Sequence, residues 1–264
     1  MVTGGAGFIG SAVVARLTDL GYEPVVFDRS TGGDITRDQF PDADHVIHLA
    51  GVLGTDELFD NEDLAWDVNL RGTINVLRWC RATGAGFTGI TMPDVFPSIY
   101  TATKVAAGRA ALYYHHNWGV PVSHVRAFNA FGPGQKHGPG HPRKIIPAFA
   151  TESWAGEPMQ IWGDGTQTCD LIHVRDLARI LVTATHFGRG ETFDGGTGTA
   201  FTVNEVAEMV GCITGNHTVQ YRPMRRGERP TAIRATGEGW DLVEHPWRPT
   251  FNHDDLVETV RWYQ

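Results

Sequence analysis

Thr3-Gly4-Gly5-Ala6-Gly7-Phe8-Ile9-Gly10 is the stretch on which the fold turns. Glycines at 4, 7 and 10 permit a tight turn, close approach of backbone N–H groups to a pyrophosphate, and close packing of the next helix on the preceding strand. The flanking sequence has the matching pattern. Met1-Val2-Thr3 reads as the end of a short strand, and Ile9, Val13, Val14, Leu17 and Leu20 repeat at helical spacing up to Gly21, which is placed to end the helix. The N-terminus of that helix directs unpaired N–H groups and positive dipole at the loop. Pro24-Val25-Val26-Phe27 reads as a buried second strand with Asp28 at its tip, 18 positions past Gly10. A carboxylate there accepts both hydroxyls of an adenosine ribose and repels a 2′-phosphate, which favours NAD over NADP. Arg29 keeps the NADP reading open, and Asp34-Ile35 fits either the neighbourhood of the adenine or a solvated loop.

Moving outward, strand-like runs alternate with helical periodicity, the signature of βαβ units and a parallel sheet. His45-Val46-Ile47-His48-Leu49-Ala50, Gly89-Ile90-Thr91 and Pro121-Val122-Ser123-His124-Val125-Arg126 read as strands, with helices over Leu64 to Arg81 and about Tyr100 to Trp118. Phe131 to Gln167 is rich in Gly and Pro (Gly132-Pro133-Gly134, Gly138-Pro139-Gly140) and predicts an irregular excursion over the C-terminal edge of the sheet, where ligand crevices lie. Leu171-Ile172-His173-Val174 and a helix after Asp176 predict a return to the sheet, followed by cap helices over Val203 to Thr214 and Asp254 to Trp262. The expected class is α/β, a Rossmann-like doubly wound parallel sheet with a small C-terminal substrate-binding cap. Residues 1–130, with 168–199 returning, form the expected dinucleotide domain; 131–167 and 200–264 form the cap.

At 264 residues, with 41% apolar and 20% charged residues, the chain has ordinary globular composition and room for one such unit. A formal charge of −8 and no long Lys/Arg run argue against nucleic acid as a partner. The glycine loop begins by residue 4, leaving no space for a signal peptide, and no stretch approaches the roughly 18 apolar residues of a membrane helix, so a cytoplasmic protein without a membrane partner is expected. Cys80, Cys169 and Cys212 form neither a metal pattern nor a disulfide framework. Of the 12 histidines, His115-His116 lie on opposite sides of a helix and His137 and His141 in a Gly/Pro loop, so no metal is assigned. The 8 tryptophans read mainly as packing, with Trp162, just before Gly163-Asp164-Gly165, placed to border a nucleotide base.

The glycines and Asp28, Gly33-Asp34-Ile35, His48-Leu49-Ala50-Gly51, Asn69-Leu70-Arg71-Gly72-Thr73-Ile74-Asn75 and Tyr100-Thr101-Ala102-Thr103-Lys104 together resemble the extended short-chain dehydrogenase/reductases, specifically the NAD-dependent nucleotide-sugar epimerase/dehydratase family. The similarity runs on through Arg126-Ala127-Phe128-Asn129-Ala130-Phe131-Gly132-Pro133-Gly134, Gly163-Asp164-Gly165-Thr166-Gln167, His173-Val174-Arg175-Asp176 and Arg225-Arg226-Gly227-Glu228. The resemblance implies NAD held by Gly4, Gly7, Phe8, Ile9, Gly10, Asp28, Arg29, Asp34, Ile35, Leu49, Ala50, Gly51 and Asn69, together with Tyr100 and Lys104. It implies a nucleotide-diphosphate sugar met by Asn129 and Arg225, and a homodimer through the helices around Leu64 to Arg81 and Tyr100 to Trp118. Arg225 reads equally as a solvated cation beside Arg222, Arg226 and Arg229.

Tyr100 and Lys104 are four apart and share one helix face. The resemblance implies that a tyrosinate takes the proton of a sugar hydroxyl while hydride leaves the same carbon, with the lysine ammonium and the cationic ring lowering the phenol pKa. Two departures stand out. Aligning Val95-Phe96 with the family's Val-Tyr turn puts Met92 where relatives carry a Ser or Thr hydroxyl, and a thioether donates no proton. Only eight positions separate Met92 from Tyr100, where relatives have a longer loop; Thr91 or Thr101 is the candidate substitute hydroxyl. The family's 4,6-dehydratases carry a Thr-Asp-Glu set here, of which only Asp94 approximates a member. Cys169 stands where many relatives have a nucleotide-contacting arginine. The expected activity is C4 epimerisation; dehydration, 4-keto-sugar reduction and non-catalytic NAD or nucleotide-sugar binding stay open.

Overall fold

A computed structural model of the chain describes residues 1–93, 95–138, 140–243 and 247–264. The apolar runs become a six-stranded, wholly parallel sheet in the order β2-β1-β3-β4-β5-β9. Its strands are β1 (Val2–Thr3), β2 (Val26–Phe27), β3 (His45–His48), β4 (Gly86–Thr91), β5 (Val122–Ala127) and β9 (Arg189–Gly195). Helix α1 (Phe8–Asp19) packs with α6 (Val174–Ala184) on one face, and α3 (Thr73–Thr83) with α4 (Ile99–Trp118) on the other. Both faces are covered, so the central strands are buried along consecutive residues without alternation. Strand order reverses between β1 and β3, and the glycine loop leaves β1 at that switch point, where open α/β sheets form their ligand crevice.

A second layer carries α5 (Ile145–Trp154), α7 (Val203–Thr214) and α8 (His253–Trp262) around their own apolar cluster, which includes Phe149, Met159, Ile161, Val206 and Leu256. Against it lie a three-stranded sheet of β6 (Asn129–Phe131), β8 (Thr168–His173) and β10 (Ala200–Thr202), and a parallel pair of β7 (Met159–Trp162) with β11 (Val219–Arg222).

Four sequence expectations are corrected. The run ending at His173 does not return to the main sheet: it pairs with β6 and β10, and β9 supplies the returning edge strand beside β5. The helix that follows it begins at Val174, before Asp176. The excursion from Phe131 to Gln167 is not wholly irregular, since it contains α5 and β7; Pro147 sits in the first turn of α5, where its missing N–H costs nothing. The second strand spans only Val26–Phe27 and, as the sheet edge, leaves Val25 exposed. The cap helices fall on their expected spans within a residue. No helix among the described residues is long and apolar enough to cross a membrane.

Candidate active site

The glycine loop fits the pyrophosphate role by its lack of side chains. Gly4 has φ +69°, and a Cβ on it would stand 2.7 Å from the Ala50 nitrogen; one on Gly10 would stand 2.1 Å from the Gly4 carbonyl. Neither position admits alanine, and the floor of the loop stays open as a cradle. Asp28 ends β2 beside it. One carboxylate oxygen accepts from the Ala6 N–H at 3.2 Å, and the other from the Ser30 N–H and hydroxyl at 2.9 and 2.8 Å. Burial alone raises its pKa, yet the Ser30 and Ala6 hydrogen bonds outweigh burial and hold it below the usual carboxylate range. Asp34 is likewise kept ionised, chiefly by the Thr36 hydroxyl and N–H, and Asn75 grips the carbonyls of Ile35 and Thr36 at 3.2 and 3.0 Å.

The crossing to β3 is tied by a buried chain of hydroxyls and imidazole. His48 Nδ1 meets Thr3 Oγ1 at 2.7 Å and its Nε2 meets Thr73 Oγ1 at 2.9 Å. Burial, and secondarily the charge of Lys104, pushes the His48 ring down to about 3, so it is a neutral bracket. Thr3 Oγ1 also accepts the N–H groups of Leu49 and Ala50, fixing the segment that faces the cradle.

These pieces line one cavity of about 810 Å³. Its wall includes Gly4, Gly7, Phe8, Ile9, Gly10, Asp28, Arg29, Asp34, Ile35, Leu49, Ala50 and Gly51, then Met92, Tyr100 and Lys104, then Asn129 and Lys144. Thus Tyr100 and Lys104, brought there by the first two turns of α4, share a cavity with the cradle. Ser98 caps α4, its hydroxyl accepting the Thr101 N–H at 3.1 Å, which sets the helix start one residue before Tyr100. Lys104 is 7% exposed. Burial pushes its ammonium down to about 8 and the Tyr100 phenol up to about 12. The phenol is therefore protonated at neutral pH in the protein alone, and the lowering expected from Lys104 does not overcome burial without further positive charge.

Several sequence candidates sit elsewhere. Asn69 does not line the cavity: 1% exposed, it accepts the Val52 N–H at 2.9 Å and donates to the Val52 carbonyl and Thr103 hydroxyl, both at 3.1 Å, so it acts through the loop it holds. Thr91 and Thr101 line a neighbouring cavity and not the one that holds Tyr100. Arg225 donates to both Glu228 carboxylate oxygens, through Nε and Nη2, and, with Arg143, lies over the Trp162 ring, outside the cavity wall. Cys169 is buried toward the Phe201 carbonyl, its thiol pushed up to about 12 chiefly by burial, and does not line the cavity. Asp94 lies outside the described residues.

Sequence reasoning missed Lys144, which lines the cavity at the start of α5 and whose pKa is lowered by burial first. It missed two buried carboxylates as well. Asp170 accepts from the Thr197 N–H and hydroxyl, both at 2.7 Å, and from the N–H groups of Gly198 and Ala235 at 2.8 and 2.9 Å. Asp194 takes the Arg126 guanidinium at 3.0 Å and the Thr236 and Gly237 N–H groups at 2.7 and 3.0 Å. They fasten the strand-like segment carrying Ile233, which lines the cavity. Asp170 follows Cys169 in sequence, but the donors of both carboxylates come from chain far away in sequence.

The family model for the NAD dependent epimerase/dehydratase family matches residues 1–92 and 91–194. Over 337 aligned positions the chain is 27% identical to a dTDP-glucose 4,6-dehydratase of Streptomyces niveus, covering 100% of this chain and 92% of that protein. A putative UDP-glucose 4-epimerase of Methanocaldococcus jannaschii is 26% identical, with 99% and 97% covered. Among solved structures, MoeE5 in complex with UDP-glucose and NAD superposes with a TM-score of 0.86 at 29% identity, covering 99% of this chain and 97% of that one. With the cradle, Asp28 and the Tyr100/Lys104 pair on one cavity wall, the chain belongs to the NAD dependent epimerase/dehydratase family, and its cofactor is NAD.

Proposed function

We propose that the chain is a nucleotide-sugar 4-epimerase. The observation that carries this reading is that Tyr100 and Lys104 share one cavity wall with the cradle; no further free acid stands there among the described residues, Asp94 lying outside them. Among the described residues that line it, the only carboxylates are Asp28, Asp34 and Asp67, and each is already engaged: by Ala6 and Ser30, by Thr36, and by Arg71 at 2.7 Å. Water elimination needs an acid and a base beyond the oxidising pair. Epimerisation needs only one proton-transfer group and a sugar that can present both faces.

In this reading the C4 hydroxyl of a nucleotide-diphosphate sugar lies at Tyr100. Bound NAD supplies the hydride acceptor and, oxidised, a positive ring charge. That charge and the Lys104 ammonium would offset the burial that holds the phenol near 12, so that Tyr100 gives up its own proton and, as tyrosinate, takes the hydroxyl proton while hydride leaves C4 for the cofactor and C4 becomes a ketone. Tyr100 returns the proton when the ketone is reduced on its other face. Met92 offers no competing donor, so proton traffic runs through Tyr100 alone. Lys144 and the side-chain N–H groups of Asn129 line the same cavity and are suited to the diphosphate, while Asp28 takes the adenosine ribose.

The test is to incubate NAD-loaded protein with UDP-glucose, UDP-galactose and their N-acetylhexosamine counterparts and follow the C4 epimer by NMR. Conversion without net cofactor change is expected, and Tyr100→Phe is expected to lower the rate by about 10²–10⁴-fold with NAD affinity unchanged. Stoichiometric NADH accumulation, or a ketone product absorbing in base, overturns the epimerase reading.

A further inference from the structure

A second cavity, about 640 Å³, adjoins the first across Met92, Pro93, Phe128 and Ile233, which line both. It runs along the flank of α4 over β5 and β9, with Arg109 on the helix, His124 and Arg126 on the sheet, and Arg234 on the segment that closes it. Its charge is one-sided. Arg126 is neutralised by Asp194 at 3.0 Å and Glu238 at 2.7 Å, but Arg109 and Arg234 have no ion-pair partner among the described residues, and no carboxylate among those residues lines the cavity. His124 is 3% exposed and its Nε2 is buried without a partner. A buried polar nitrogen left unpaired in the fold is a vacancy for a hydrogen-bonding group. Burial first, and the Lys104 charge second, push this imidazole down to about 4, so it is neutral at ordinary pH and offers Nε2–H in the tautomer protonated there.

We propose that this cavity is the substituent pocket of the same active site and takes a carboxylate-bearing arm of the sugar, seated between Arg109 and Arg234 with His124 beneath. The inference rests on the nucleotide-sugar reading above. Its size favours an arm over a carboxylate attached directly to the ring: small-molecule pockets of roughly 300–1,000 Å³ hold whole ligands. Val105, Leu112, Phe128 and Ile233 supply apolar wall for the carbon part of the arm, and the arginines supply charge-assisted hydrogen bonds for its end. Met92, with no hydroxyl to bind the ring, is then the hinge post past which the arm turns.

The probes are UDP-glucosamine carrying an N-succinyl arm and the same compound with that arm's terminal carboxylate replaced by its amide, which differ in charge and hardly in shape. Titration calorimetry on NAD-loaded protein is expected to give about tenfold or tighter binding for the acid, and Arg109→Gln with Arg234→Gln, both exposed positions, to reduce that preference to within about threefold. Equal binding of acid and amide, or a preference untouched by the substitutions, overturns the assignment. So does free succinate binding in an Arg234-dependent way without displacing UDP-glucose, which identifies a separate anion site. If neither probe nor UDP-glucose binds while NAD does, the nucleotide-sugar reading itself fails, and this inference with it.

Discussion

Lys104 is a cation buried with no hydrogen-bond partner among the described residues, a position that costs folding free energy and so points to use. Its pKa falls from an ordinary 10.5 to about 8 through burial, so between these values the unfolded chain holds more protons than the folded one. Stability of the ligand-free protein should therefore rise as pH climbs from 8 to 10.5, the full penalty of about 3 kcal/mol applying below 8. Lys104→Met is expected to stabilise the ligand-free protein at pH 7, with the advantage shrinking by pH 10, while turnover is lost. Denaturant titrations of both proteins across that range check it, and a variant no more stable than its parent at pH 7 contradicts it. At this scale the sequence was readable where a placement follows from local spacing. The four-residue step from Tyr100 to Lys104 and the 18-residue step from Gly10 to Asp28 each land on the cavity wall. Lys144, Asp170 and Asp194 were not readable, because what makes them matter is chain that arrives from tens of residues away.

Among elements, the join between β1, the loop and α1 leaves almost no tolerance. Gly10→Ala forces a Cβ within 2.1 Å of the Gly4 carbonyl, and since that atom belongs to backbone the loop must open. NAD affinity is expected to fall by at least about tenfold, read by fluorescence titration, with a smaller loss of stability from the displaced turn. Unaltered NAD binding would mean the loop does not hold the pyrophosphate. The segment over both cavities depends instead on a strand residue. Asp170→Ala strands four donors in a buried place and should destabilise by about 3 kcal/mol. The period of β8 predicted a buried strand correctly but not its neighbour: periodicity reports how many faces are covered, and pairing with β6 and β10 is a long-range choice. The same limit hid α5, which lies inside the Gly- and Pro-rich run from Phe131 to Gln167 that reads as irregular. It hid the π-helical stretch Trp66–Gly72 too, the irregular turn from which Asn69 reaches the Val52 backbone.

For the whole molecule, the face that matters is the outer side of α3 and α4. Tyr113 and Trp118 are exposed on α4 and Trp66 on the π-helical turn that leads into α3, and Arg81 lies 3.3 Å over the Trp118 ring, tying the ends of the two helices into one surface. We propose that this face meets its own copy in a two-fold dimer, since a self-complementary apolar patch closes on itself without leaving a free end. The pairing has a consequence for catalysis. α4 carries Tyr100 and Lys104 on its inner side, so a dimer that clamps its outer side stiffens the helix that positions both. Sedimentation at micromolar concentration is expected to give a dimer, and Trp66→Glu with Tyr113→Glu to give a folded monomer, because each charge would be buried against an apolar partner. A monomeric parent protein would refute the proposal. A dimer untouched by the double substitution would move the interface to another face, and with it the claim that α4 is held from outside.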